Sequence, residues 1–129
     1  MPTQLGSNIF GNVAGPDHLA YQKEHNYKKV VDFLDFKQKD ISMASGVSKT
    51  SVRFDVKIPS AVKERIVEWA NLINIVAEHF DGDLEKTHLW FVMSNPLLGD
   101  ISPRDMIRIG RYQKLYKFIM NSIQAYKVK

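Results

Sequence analysis

The chain has no cysteine among its 129 residues. That excludes a disulfide framework and any zinc site built from thiolates, and it fits a reducing compartment. No apolar run approaches the roughly 20 residues that span a bilayer. The N-terminus lacks a basic start followed by an apolar stretch, so no secretory signal is expected and a cytoplasmic location is. Alternation of apolar and polar residues with period two is missing throughout, as are heptads and repeats of domain scale. There is no phosphate-cradling glycine loop and no nucleophile elbow, and the serines and histidines carry no signature that joins them. Catalysis, a bound cofactor and a small-molecule substrate are therefore not expected. His79, Asp81, Asp83, Glu85 and His88 fall within ten residues, but they match neither a calcium loop nor a zinc spacing. Helix capping and solvation explain them, and no metal is expected.

What is present is helical. Hydrophobic content of 44% and charged content of 25% are ordinary for a globular protein. A length of 129 residues suits one domain, or two small ones sharing a core. The net charge of +4 hides a pattern: residues 1–26 carry −1, residues 27–57 carry +3, residues 58–100 carry −4 and residues 101–129 carry +6. Two basic segments flank an acidic middle. Each is either a solvated helix face or a contact for a polyanion or an acidic protein.

Residues 1–26, with Gly6, Gly11, Gly15 and Pro16, read as a flexible arm or irregular lead-in, with a short helical start after Asp17. A helix is expected over residues 27–36. Residues 37–56 have the spacing of a helix-turn-helix. A short helix runs from Gln38 to Ser45, Gly46-Val47 turns, and Ser48 caps a second helix from Lys49 to about Phe54. Ile41, Val47 and Val52 would plug the core beneath. In such a unit the second helix meets the major groove, so Ser48, Lys49, Thr50, Ser51 and Arg53 are the candidate DNA contacts, with Lys37, Lys39 and Lys57 placed for phosphates. The same spacing also suits a plain helical packing unit; Ser45 and Asp55 favour that alternative.

The clearest helix lies in residues 58–80. Pro59 opens it, and Val62, Ile66, Trp69, Leu72, Ile73, Val76 and Phe80 recur on one face. Asp81-Gly82-Asp83 ends it, and Asp83 can cap a helix over 84–93 that packs through Leu84, His88, Trp90 and Phe91. Asn95-Pro96 followed by Gly99 predicts one capped turn. Ser102-Pro103 followed by Gly110 predicts a longer capped helix, with Asp105 completing a capping box. A last helix covers 111–125, with Tyr112, Leu115, Phe118, Ile119, Ser122 and Ile123 on one side.

The residues Phe80-Asp81-Gly82-Asp83, Trp90, Asn95-Pro96-Leu97-Leu98-Gly99, Ser102-Pro103, Met106-Ile107, Gly110-Arg111, Lys114-Leu115 and Phe118-Ile119 resemble the toxin-binding domain of Xre/MbcA/ParS-type antitoxins. The resemblance spans about residues 80–120, and such antitoxins usually carry a helix-turn-helix ahead of it, which here falls at 27–57. Asp100 stands where the family often has a second glycine, and Thr87 where it often has alanine. The resemblance implies an all-α protein with an arm at 1–26, a helix-turn-helix at 27–57 and a toxin-binding and dimerisation domain at 58–129. It implies a homodimeric type II antitoxin that binds a cognate toxin, commonly a RES-domain NAD-degrading protein or a related ADP-ribosyltransferase, and represses its own operon. The candidate toxin contacts are Trp90, Asn95, Pro96, Leu97, Leu98, Gly99, Arg104, Arg108 and Arg111. Trp90, Leu97 and Leu98 can equally fill the core, and the three arginines can equally widen a DNA footprint. A regulator whose second half only dimerises, or an interaction module without DNA binding, also fits these residues.

Overall fold

The structure is a computed structural model, and it describes residues 9–10, 20–53 and 57–128. Among these residues the fold is all α, with six helices and no strand. The helices are α1 (Ala20–Phe33), α2 (Gln38–Ser45), α3 (Ser60–His79), α4 (Leu84–Val92), α5 (Pro103–Arg108) and α6 (Tyr112–Val128). Two single 3-10 turns, Lys49–Ser51 and Pro96–Leu98, interrupt the connections.

α3 is the central post. Val62, Ile66, Trp69, Leu72, Ile73 and Val76 are buried as the periodicity predicts, and Ala70 and Ala77 let neighbouring helices approach. Burying each large apolar side chain contributes about 1.5–3 kcal/mol. Phe36 meets the Trp69 ring edge-on at 5.4 Å. Phe91 of α4 and Leu115 and Ile119 of α6 join the same hydrophobic core as Val30, Leu34 and Ile41 of the first third of the chain. Leu84, expected to pack, is instead exposed, because Thr87 and Phe91 define the inward side of α4.

The caps expected of Asp83, Asn95 and Ser102 form, but Asp105 does not complete a capping box: its carboxylate meets Arg104 and Arg108 instead. Asp83 accepts from Lys86 N at 3.0 Å, Asn95 from Leu97 N at 2.9 Å, and Ser102 from Asp105 N at 3.1 Å. Each bond satisfies a first-turn N–H that has no partner within its helix. Gly46 and Gly99 end their elements at φ 77° and 84°, where a side chain is strained. Asp100 adopts φ 65° immediately afterwards. A second glycine is thus the easy choice there, and Asp is among the few residues that tolerate it. Thr87 is fully buried, but its hydroxyl donates to the Asp83 carbonyl at 2.7 Å and is satisfied.

Three expectations need amendment. α1 begins at Ala20, in keeping with the helical start expected after Asp17, and runs on without a break past residue 27, whereas Phe10, in the stretch read as an arm, lies buried against Phe33, with ring centroids 5.4 Å apart. Ile9 N also donates to Asn74 Oδ1 of α3 at 3.0 Å. The helix expected from Lys49 to Phe54 is a three-residue 3-10 turn, with Val52 already extended and buried. Gln38 Nε2 donates to the Val52 carbonyl at 2.6 Å, which takes up an acceptor that a continuing helix would use internally. Ser48 makes no cap bond; its hydroxyl faces those of Thr50 and Ser51 at 3.2 and 3.1 Å. Phe54 and Asp55 lie outside the described residues.

Candidate protein-binding site

The connection between α4 and α5 is a corner fixed from both sides. Asn95 caps the 3-10 turn with its side chain, and its backbone pairs with Ile101 through Asn95 N to Ile101 O at 3.2 Å. Asp100 N returns to Asn95 O at 3.0 Å. Within this frame the two leucines separate. Leu98 packs against the core, and Leu97 stands 79% exposed. A capped, bridged turn therefore holds a large apolar side chain in water.

Leu97 is not isolated. Met93 is 59% exposed and Leu89, one helical turn earlier, 49%. Together they make an outward apolar strip along α4 that runs into the corner. On the other side Leu97 borders a groove of about 260 Å³ between the end of α3 and α6, lined also by Phe80, Trp90, Asn95, Phe118 and Ile123. Trp90 is half-buried and meets Phe91 edge-on at 5.1 Å. Its side chain also lines the groove. Trp90, Asn95, Pro96, Leu97 and Gly99 thus belong to one surface region, while Leu98 serves the core.

The sequence-expected arginines divide differently. Arg104 is turned toward α1: it donates to the carbonyls of Leu34 and, at 3.0 Å, Asp35, and lies 5.3 Å from the centroid of Phe36. Arg108 Nε and Arg104 Nη1 both meet Asp105 Oδ1 at 3.1 Å, and Arg108 Nη1 reaches Met43 Sδ on α2 at 3.7 Å. These two side chains hold α5 to α1 and α2. Arg111 is exposed. In the first half of the chain, Ser48, Lys49, Thr50, Ser51 and Arg53 are exposed together around the first 3-10 turn.

Tyr112 Oη donates to the Glu68 carbonyl at 3.1 Å and fastens the start of α6 to α3. Burial, reinforced by Glu68 and Tyr116, pushes its pKa up to about 12 against the opposing pull of Arg65. This bond sits at the opposite end of α6 from Ile123, so α6 is tied at its base and borders the groove farther along. Among the described residues no group of three or more His, Asp or Glu is arranged to hold a metal ion, and no helix is long and apolar enough to cross a membrane.

Leu89 and Met93 were not selected by sequence reasoning, and neither were Phe80, Phe118 and Ile123 as parts of a surface. A signal was present. α4 carries Leu84, Leu89, Trp90, Phe91 and Val92, so it is apolar on more than one face, which marks a helix covered from both sides. No protein-family model matches the chain, and no curated protein or solved structure matches it significantly.

Proposed function

We propose that the chain is an antitoxin that neutralises a cognate toxin by direct binding, and that the corner bearing Leu97, with the strip Leu89–Met93 and Trp90, is the contact surface. One observation carries this reading: Leu97 is held 79% exposed by a turn that is capped, bridged and closed by a left-handed glycine. Apolar side chains held rigid before docking lose little entropy on binding, and tryptophans such as Trp90 are enriched among the residues that dominate interface energetics. Binding rather than catalysis is the role such a surface suits. The identity of the partner as a toxin, of the RES-domain or ADP-ribosyltransferase class, rests on the antitoxin-like pattern over residues 80–120. Coexpression with the product of the neighbouring reading frame tests it. The frame's product arrests growth alone, and the pair restores growth and copurifies. If the neighbour is harmless and nothing copurifies, the antitoxin reading falls.

A second role, repression of its own operon by a homodimer through Ser48, Lys49, Thr50, Ser51 and Arg53, is favoured by the joint exposure of these residues and the +3 charge of residues 27–57. A three-residue turn offers a major groove less surface than a helix would. Partner binding is therefore the primary proposal.

A further inference from the structure

We infer that the groove between α3 and α6 receives an amphipathic helix of the partner protein, whose flank toward α6 is acidic and whose opposite flank is basic. This deepens the partner-binding proposal and rests on it. The groove walls are apolar: Val76, Phe80, Trp90, Phe118, Ile119 and Ile123. Apolar anchors at i, i+3, i+4 and i+7 of a helix are the usual occupants of such a channel.

The charges on its two sides select among helices. α6 contains no acidic residue from Tyr112 to Val128, and its exposed Lys114 and Lys117 sit one turn before and immediately before the lining residue Phe118. Arg111, also exposed, precedes them. The opposite side is acidic. Glu78, Asp81, Asp83 and Glu85 surround the lining residues His79 and Phe80, with no Lys or Arg between them. A helix lying between the walls meets positive charge along one flank and negative charge along the other. An acidic flank toward α6 and a basic flank toward the acidic wall gain attraction on both sides, and the reverse orientation places like charges together on both. The charge contrast therefore sets both the composition of the ligand and its direction.

The test uses the full chain and labelled helical peptides in a fluorescence-anisotropy titration. One peptide carries leucines at i, i+3, i+4 and i+7 with a glutamate flank and a lysine flank opposite it. The second is identical but has lysines in place of the glutamates, and the third keeps the glutamates with serines replacing the leucines. The glutamate–leucine peptide binds about tenfold tighter than the lysine–leucine peptide in low salt, and the contrast shrinks as salt rises. The serine peptide does not bind. Lys114→Glu with Lys117→Glu reverses the preference. Ser122→Trp places a large ring in the groove from an exposed position and abolishes peptide binding without altering the unfolding midpoint.

Equal binding of the first two peptides at every salt concentration overturns the charge assignment. Failure of the glutamate–leucine peptide to bind overturns the groove as a helix receptor. Self-association that is present in the unmodified chain and lost in Ser122→Trp overturns it in favour of a second copy. If Ser122→Trp still copurifies with the toxin, this inference fails while the antitoxin reading stands. If the peptides behave as stated but the neighbouring frame is harmless, the groove assignment holds and the antitoxin reading fails.

Discussion

Arg104 of α5 donates from Nη2 to the carbonyl oxygen of Asp35 at 3.0 Å, across 69 positions of sequence. Its Nε donates to the carbonyl of Leu34 beside it. One guanidinium thus closes the end of α1, where helical carbonyls lack internal partners. Arg104→Ala is expected to cost about 2–3 kcal/mol, the range for losing charged hydrogen bonds and leaving acceptors unpaired. Arg104→Lys restores only part of this, because an ammonium lacks the fixed fork of donors. Urea titration reads the effect as a lower midpoint with an unchanged slope. An unchanged midpoint in Arg104→Ala contradicts the assignment.

Gly99 sits at φ 84°, and a Cβ built there meets nothing within 4 Å. Any penalty for Gly99→Ala is therefore conformational, not steric crowding from neighbours. The expected cost is about 1–2 kcal/mol, the strain of a left-handed L-residue. The corner also loosens, so partner affinity falls with stability. A Gly99→Ala variant as stable as the unmodified chain would show that the turn is not held at this φ.

Tyr112 gives the alkaline behaviour a sign. Its folded pKa is raised to about 12 from 10.0, chiefly by burial. Between those values the unfolded chain loses the phenolic proton before the folded one does. Stability from this group is therefore complete below pH 10 and is lost as pH rises through about 12. Tyr112→Phe should flatten that part of the stability–pH curve relative to the unmodified chain, and lower stability at neutral pH by about 1 kcal/mol through the lost bond to Glu68. Denaturation at matched pH values, comparing the two proteins, checks both. Parallel curves contradict it.

The DNA proposal makes its own demand. Arg53→Ala and Lys49→Ala weaken binding to the operator several-fold and leave toxin binding intact. Affinity for DNA falls steeply with salt as phosphate contacts release counterions. Gel-shift titrations at two ionic strengths decide it; a flat salt response and indifferent variants remove this role.

Much of the fold was legible because its signals are local. Asp83, Asn95 and Ser102 announce caps that a first-turn N–H completes within three residues, and the face of α3 repeats often enough to define its burial. What was not legible depends on distant partners. Nothing near Arg104 indicates that the carbonyls of Leu34 and Asp35 await it. Phe10 reads as part of an irregular lead-in until Phe33 is seen beside it. The turn at Lys49–Ser51 ends where Val52 becomes extended and buried, with its carbonyl accepting from Gln38 fourteen residues away. Leu97 and Leu98 are identical in sequence terms, and only the orientation of the capped turn separates the exposed one from the packed one. The candidate surface was thus half visible: its frame lay in the caps and glycines, and its apolar face emerged only when α4 and α6 were set around it.

The most direct test of the central claim is the affinity for the cognate toxin of Leu97→Asp, measured by calorimetry alongside its unfolding free energy. Leu97 is exposed, so stability should stay within about 0.5 kcal/mol. Toxin affinity should fall by at least about 30-fold, the loss of a central anchor. Undiminished affinity in a stably folded Leu97→Asp protein would contradict the account.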